Sequence, residues 1–422
     1  MVAAQVALGC WLLLVGPPSA VEEGVVGEMH ALGQPIRFEE ALRSGERAED
    51  VEGAREASST ASAGVSKQPR LTMNPVVSAA IGARVNPSEE QGFEGTVGIA
   101  QPLSLRRAGA RRKEALRAEA RWRAAEVDAA ELRRDLEVAR AWLELRRAET
   151  LHALALEQQE VADARLRALQ RLAEVGERQV AEVADAAAER ERTRLAVLDA
   201  EGLEADASYA LARSLGHGDA SALRTDGPLP EVVLPAAEER LALLDAVESL
   251  PSVRVTKLRA AAQEAGAEEG WANAGPQMSV GVQAQRESHG STIVQGTVSV
   301  PIPVVRRGTR ARTAQRANAA LLRGQAREQA VQLRASVRTM VHDVDHAQRV
   351  LDELREHVVP ASADALRGWE RQAASGEALP LQVLDARRRL VEARRREAVA
   401  NVDRAWSRVR LAIFVAAIGE QR

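Results

Sequence analysis

The residues best placed by type and spacing to do chemistry are His342-Asp343-Val344-Asp345-His346. Two imidazoles at i and i+4 share one face of a helix, a spacing that suits a transition metal. The zinc-hydrolase pattern is not met, because Asp343 stands where a general-base Glu is needed. Both histidines also fall off the apolar stripe of their helix, so a solvated face is the favoured reading and no metal is expected. Cys10 is the only cysteine, which excludes an internal disulfide and any multi-cysteine metal site. The sequence has no nucleophile–base set, phosphate loop or dinucleotide fingerprint. The chain therefore reads as a non-enzyme with no cofactor.

The helix carrying the two histidines is the most regular stretch of the chain. Its apolar residues Leu333, Val337, Met340, Val344, Ala347, Leu351, Leu354 and Val358 are separated by alternating steps of four and three. That 3.5-residue period marks a helix packed along another helix. From Arg306 to Ser375 the only proline is Pro360, so the spacing predicts one helix of about 70 residues, on the order of 100 Å long. Composition agrees. The 422 residues are 45% apolar but only 2% aromatic, which suits long helices better than a compact aromatic core. A net charge of −3 gives no reason to expect nucleic acid.

The apolar run Val6–Val15, followed by Gly16-Pro-Pro-Ser-Ala20, reads as a secretory signal peptide over residues 1–20 without the usual basic start. No other run is long enough to be a membrane-spanning helix, so any crossing must use strands. Residues 21–75 are polar, with one helical stretch at Phe38–Leu42. A strand pair is expected within 76–103, around the turn Asn86–Gly92, and a long helical hairpin over 104–216. Residues 217–275 connect to a second strand pair within 276–303 and a second helical hairpin over 304–418.

The halves align with an offset of about 200: Gly95-Thr96-Val97 with Gly296-Thr297-Val298, Arg106-Arg107 with Arg306-Arg307, Gly176 with Gly376, Asp185-Ala186 with Asp385-Ala386. Such a period is a duplicated module rather than a solenoid. Trp142 and Arg146 stand opposite the two histidines.

Each strand is about ten residues, the length of a tilted transmembrane strand. Val280, Val282 and Ala284 alternate with polar residues, as do Val294, Val298, Val300 and Ile302. One apolar and one polar face suits lipid outside and water inside. Four strands cannot close a barrel, and open edges are not tolerated in lipid, so other copies must complete it.

This plan resembles the TolC family of outer-membrane efflux channels, over residues 36–418. The resemblance is carried by the duplicated strand–strand–helix–break–helix order and by the tips Val175-Gly-Glu-Arg-Gln-Val-Ala-Glu-Val-Ala-Asp-Ala186 and Ser375-Gly-Glu-Ala-Leu-Pro-Leu-Gln-Val-Leu-Asp-Ala386. Length and compact strand loops are similar to the heavy-metal branch. The resemblance implies a mainly α fold with a small β part. Three copies would share a 12-stranded β-barrel in outer-membrane lipid and an α-barrel of long helical hairpins reaching through the periplasm. It also implies an inner-membrane pump and a periplasmic adaptor as partners, the adaptor meeting the tips at Val175, Gly176, Ser375 and Gly376. The family's periplasmic gate falls at Gln382 and Asp385, one acid fewer than usual, with Glu182 and Asp185 as their first-half counterparts. The competing reading is a periplasmic adaptor or coiled-coil scaffold, disfavoured because the chain carries two tandem hairpins rather than one.

Overall fold

The structure, a computed structural model, describes residues 33–46, 48–67, 73–84, 92–216, 222–234, 236–287, 290–301 and 309–419. The export segment 1–20 with Cys10, turn residues 86–91, His217-Gly218 and the strand end 302–303 lie outside them.

In chain order the elements are β1 (Gln34–Arg37), α1 (Phe38–Gly45), α2 (Glu49–Ser66), β2 (Val76–Arg84), β3 (Gly92–Ser104), α3 (Ala108–Glu174) and α4 (Val180–Ser214). They continue with β4 (Leu223–Asp226), α5 (Ala237–Ala246), α6 (Pro251–Asn273), β5 (Gln277–Arg286), β6 (Thr292–Ser299), α7 (Thr309–Glu353), α8 (Val359–Ala374) and α9 (Pro380–Gly419). Helix α3 runs for 67 residues with no proline, and its only glycine lies in the first turn. Ala, Leu, Arg and Glu, all strong helix formers, make up most of the rest, giving a rod on the order of 100 Å.

Half of the apolar stripe in the second half is buried, and Leu333, Ala347, Leu354 and Val358 are half-buried. Val337, Met340, Val344 and Leu351 are buried, while His342 and His346 are exposed. The expected unbroken helix is interrupted, however. Between α7 and α8 lies a π-helical turn, Leu354–Val358, where the Val359 N–H donates to the Leu354 carbonyl. Pro360 supplies the cause: its nitrogen has no proton to donate to the carbonyl four residues back, and its ring crowds that carbonyl. The ladder widens by one residue just before it.

Three helices lie in stretches where the sequence predicts none, the short α5 and two longer ones. α2, 18 residues, and α6, 23 residues, occupy stretches read as polar or connecting. Their buried residues are mostly small: Val51 in α2, and Val253, Ala260, Ala267 and Ala272 in α6. Alanines leave no conspicuous apolar stripe, yet they let a helix approach closely. α2 lies on α3, and α6 lies between α3 and α7.

The buried cores sit around the middle of the long helices. One gathers Ile36 and Phe38 with Val138, Ala139, Trp142 and Leu143 of α3, Leu211 of α4 and Val402 and Val409 of α9. The other joins Leu243, Val247 and Leu250 to Val337, Met340 and Val344 of α7 and Leu411 and Phe414 of α9. Trp142 breaks the parallel with His342. It is fully buried, its Nε1 donates to the Ile36 carbonyl at 2.9 Å, and the Phe38 ring meets it edge-on at 5.4 Å. The chain's first strand therefore lies against α3. α3 also holds the second strand of the parallel pair β1–β4 through Glu149, whose Oε1 accepts the Thr225 N–H at 2.7 Å.

The four long strands form one antiparallel sheet in the order β2-β3-β5-β6. Directly paired residues share a face. The register pairs Val77 with Ile99, Ala79 with Val97 and Ala83 with Phe93. It continues through Ile99 with Val282 and Val97 with Ala284, then Val280 with Val298 and Ala284 with Val294. One face is thus apolar across all four strands. The opposite face pairs Thr96 with Gln285, Gly98 with Gln283, Gln283 with Gln295 and Ser279 with Ser299. Ile81, Phe93, Val97, Val282, Val294 and Val298 are all exposed on the apolar face.

Candidate functional site

The two helical turns farthest in sequence from the sheet are built alike. In the first, the Glu177 N–H donates to the Leu172 carbonyl at 2.9 Å and the Gly176 N–H to the Ala173 carbonyl at 3.0 Å. In the second, Glu377 reaches Gln372 at 2.8 Å and Gly376 reaches Ala373 at 3.1 Å. Each is a Schellman turn, which needs a left-handed residue just past the helix end. Gly176 and Gly376 supply it, at φ 76° and 80°. Val175, Gly176, Ser375 and Gly376 are all exposed, and exposed Val180 and Leu379 add apolar surface beside them.

The acidic candidates do not converge within one chain. Gln382 caps its own helix: its Oε1 accepts the Leu379 N–H at 2.8 Å, the return arm of a capping box. Its counterpart Glu182 pairs instead with Arg178 at 3.3 Å. Asp385 reaches across to α3, where Arg165 Nη1 lies 3.5 Å away. Asp185 is exposed. The Arg165–Asp385 contact joins the second hairpin to the first, and its sequence separation left no local signal to find it by.

His342 and His346 stack at 5.8 Å between ring centroids, 8° from parallel. Asp345 beside them is engaged by Arg240 at 3.1 Å, so the four polar groups of this motif do not gather on one point. A second titratable group lies where α3 and α4 pass β4. His152 Nδ1 is 2.6 Å from Glu204 Oε2, and burial pushes the Glu149 carboxyl up from its ordinary value against the lowering effect of its bonds to Thr225. These contacts tie neighbouring elements together.

No protein-family profile matches the chain, and no curated protein matches it. Solved structures do. The outer-membrane channel OprN superposes with a TM-score of 0.71 at 18% identity, covering 90% of each chain. The outer membrane protein VceC of Vibrio cholerae gives 0.65 at 17% identity, over 90% of this chain and 96% of that one. CusC, a protein that undergoes conformational change on transmembrane channel formation, gives 0.61 at 18% identity, over 90% and 91%. CusC fits no better than the other two, so the likeness lies in the shared fold and selects no branch.

The tip geometry carries a local prediction. Gly376→Ala meets no neighbouring atom but forces a side chain into the left-handed region, at a cost of about 1 kcal/mol. Faster amide hydrogen exchange at Glu377, with the middle of α9 unchanged, is the expected result. Unaltered exchange at Glu377 would mean that the glycine does not set the turn.

Proposed function

From the outer-membrane channel fold that this chain shares with OprN, VceC and CusC, we propose that it is one subunit of an outer-membrane efflux channel. It conducts material passively from an inner-membrane pump and periplasmic adaptor to the exterior and performs no catalysis. The observation that carries this reading is the two-faced sheet, with valine, isoleucine, alanine and phenylalanine on one side and serine, threonine and glutamine on the other. An exposed apolar face four strands wide is unfavourable in water and is what lipid requires. Strands of 8 to 13 residues match the span of a tilted transmembrane strand.

Three copies supply twelve strands. β2 and β6 run in opposite directions, so β6 of one copy can continue antiparallel onto β2 of the next and close the ring. The helical part supports the same assembly. The chain exposes 27214 Å², whereas a compact monomer of 45.4 kDa exposes about 16,000 Å². α8 buries no residue, and Leu195, Leu198 and Leu203 of α4 are exposed, as expected of walls that neighbouring copies cover. The long halves are the products of one duplication, each carrying one strand pair and one hairpin.

The exposed Schellman tips, Val175-Gly176 and Ser375-Gly376, are the surface offered to the adaptor. Asp385 and Asp185, with Gln382 and Glu182 one turn before them, lie at the narrow end of the tunnel, where three copies bring like charges together and favour cations. Asp385 is held toward α3 by Arg165, so that pair sets how far its carboxylate projects.

Fractionation of expressing cells, followed by mass determination of the detergent-extracted complex, tests the channel reading. A trimer in the outer-membrane fraction is expected, and a soluble monomer or dimer would contradict it. For the gate, Asp385→Ala is expected to change single-channel conductance and weaken block by divalent cations. Identical conductance and block would remove Asp385 from the constriction.

A further inference from the structure

Charge is distributed unevenly at the two ends of the sheet. The whole chain carries −3, yet residues 104–117 hold six basic residues and one acid, and residues 309–316 hold three basic residues and no acid. The first segment follows directly on β3, and the second opens α7, which starts at Thr309 after β6 ends at Ser299. At the turn end the balance reverses, with one basic residue and three acids over 84–94.

The structure brings the two basic segments together on one aromatic ring. The Arg106 guanidinium lies 4.1 Å from the centroid of Trp271 and that of Arg312 lies 4.5 Å from it. Arg106 Nη1 also donates to the Trp271 carbonyl at 2.9 Å. It packs so closely on Gly275 that a Cβ there would meet its Cδ at 2.4 Å. Internal acids absorb part of the charge: Glu268 takes Arg312 and Arg316 at 2.8 and 2.7 Å, and Glu114 takes Arg111 at 2.9 Å. Arg107, Arg112, Lys113 and Arg310 are exposed and have no acidic partner among the described residues.

Their depth is decisive. β3 ends at Ser104, paired with Gln277, and Leu103 and Leu105 are the last exposed apolar side chains. The headgroup layer beyond the hydrocarbon is about 6 Å thick on each side. Arg107 stands at the sheet end, and Lys113 is about 9 Å further along α3 with a side chain long enough to reach back. A tryptophan at this level is the residue type that settles at a membrane–water boundary.

We infer that Arg107, Arg112, Lys113 and Arg310 form a collar that binds the phosphate headgroups of anionic phospholipid in the leaflet where the strands enter the helices. The inference rests on the reading of the sheet as membrane-embedded. Repeated around a trimer, the collar fixes the depth at which the barrel rides, because sliding either way pulls cations off phosphate or apolar strand into water.

The test reconstitutes the full-length chain into mixed phosphatidylcholine and phosphatidylglycerol vesicles and measures the association of spin-labelled forms of each lipid. The chain is expected to prefer phosphatidylglycerol by about fivefold or more, the contribution of a single surface cation. The preference should weaken in about 0.5 M salt. In the variant R107Q/R112Q/K113Q/R310Q it should fall to near parity with insertion unchanged. Should that variant insert poorly, Arg310→Gln alone is expected to lower the preference measurably. Parity in the inserted wild-type chain, or a preference that none of these substitutions alters, would overturn the collar while leaving the channel reading intact. Loss of the preference to soluble glycerol phosphate at millimolar level would also overturn it, by assigning the site to a free anion. A wild-type chain that inserts into neither lipid would overturn the channel reading and the collar with it.

Discussion

The constraint on which the rest of the structure depends is the unpaired backbone along β2 and β6. Each of these strands pairs on one side only among the described residues. In water an exposed edge is tolerable. In hydrocarbon every unbonded N–H and C=O costs several kcal/mol, so a sheet with an apolar face cannot remain four strands wide. The proposed closure through other copies would satisfy the edges and give the polar face a lumen. In the proposed trimer the helices inherit this arrangement: three sheets closed in a ring would place the attached hairpins in a ring as well, and the long helices would prolong the lumen.

The energetics change along the molecule. Around the middle of the long helices, Trp142, Leu143, Met340 and Leu411 are buried within one chain, and the short elements β1, α1, α5 and α6 provide the cover. Toward the tips the buried residues are mostly smaller, among them Val161, Ala162, Ala168, Ala186, Ala386 and Val391, and ion pairs such as Arg165–Asp385 between the hairpins and Arg190–Asp163 within the first lie beside them. Half-exposed ion pairs contribute little apiece. The turns themselves, Val175-Gly176 and Ser375-Gly376, are exposed, which suits the adaptor contact proposed for them.

Much of the architecture could be read from spacing alone. The period of Leu333 to Leu351 specifies a packed helix, and Val337, Met340, Val344 and Leu351 are buried in that order. The alternation at Val280–Ala284 specifies a two-faced strand, and the register extends its apolar face over all four strands. Gly176 and Gly376 mark both turns, since a left-handed residue is needed there and little else adopts it. Three features were hidden for physical reasons. α6 buries mainly alanine, whose small side chain gives no amphipathic stripe, and α2 buries only Val51. The π turn before Pro360 depends on where the ladder yields, which a lone proline does not announce. The roles of Gln382 as a cap and of Asp385 as the partner of Arg165 arise from contacts within a turn and between hairpins, which residue type does not distinguish from a gate.

The central claim is that the apolar face of the sheet meets lipid and the polar face meets water, and site-directed spin labelling measures that directly. Nitroxides placed one at a time at Val97, Val282 and Val298 should collide with dissolved oxygen and be shielded from an aqueous nickel chelate. Labels at Thr96, Gln283 and Thr297 should show the opposite. Equal access of the chelate to both sets in membrane-reconstituted protein would mean that the sheet lies in water, and the account of a lipid-embedded channel would fail.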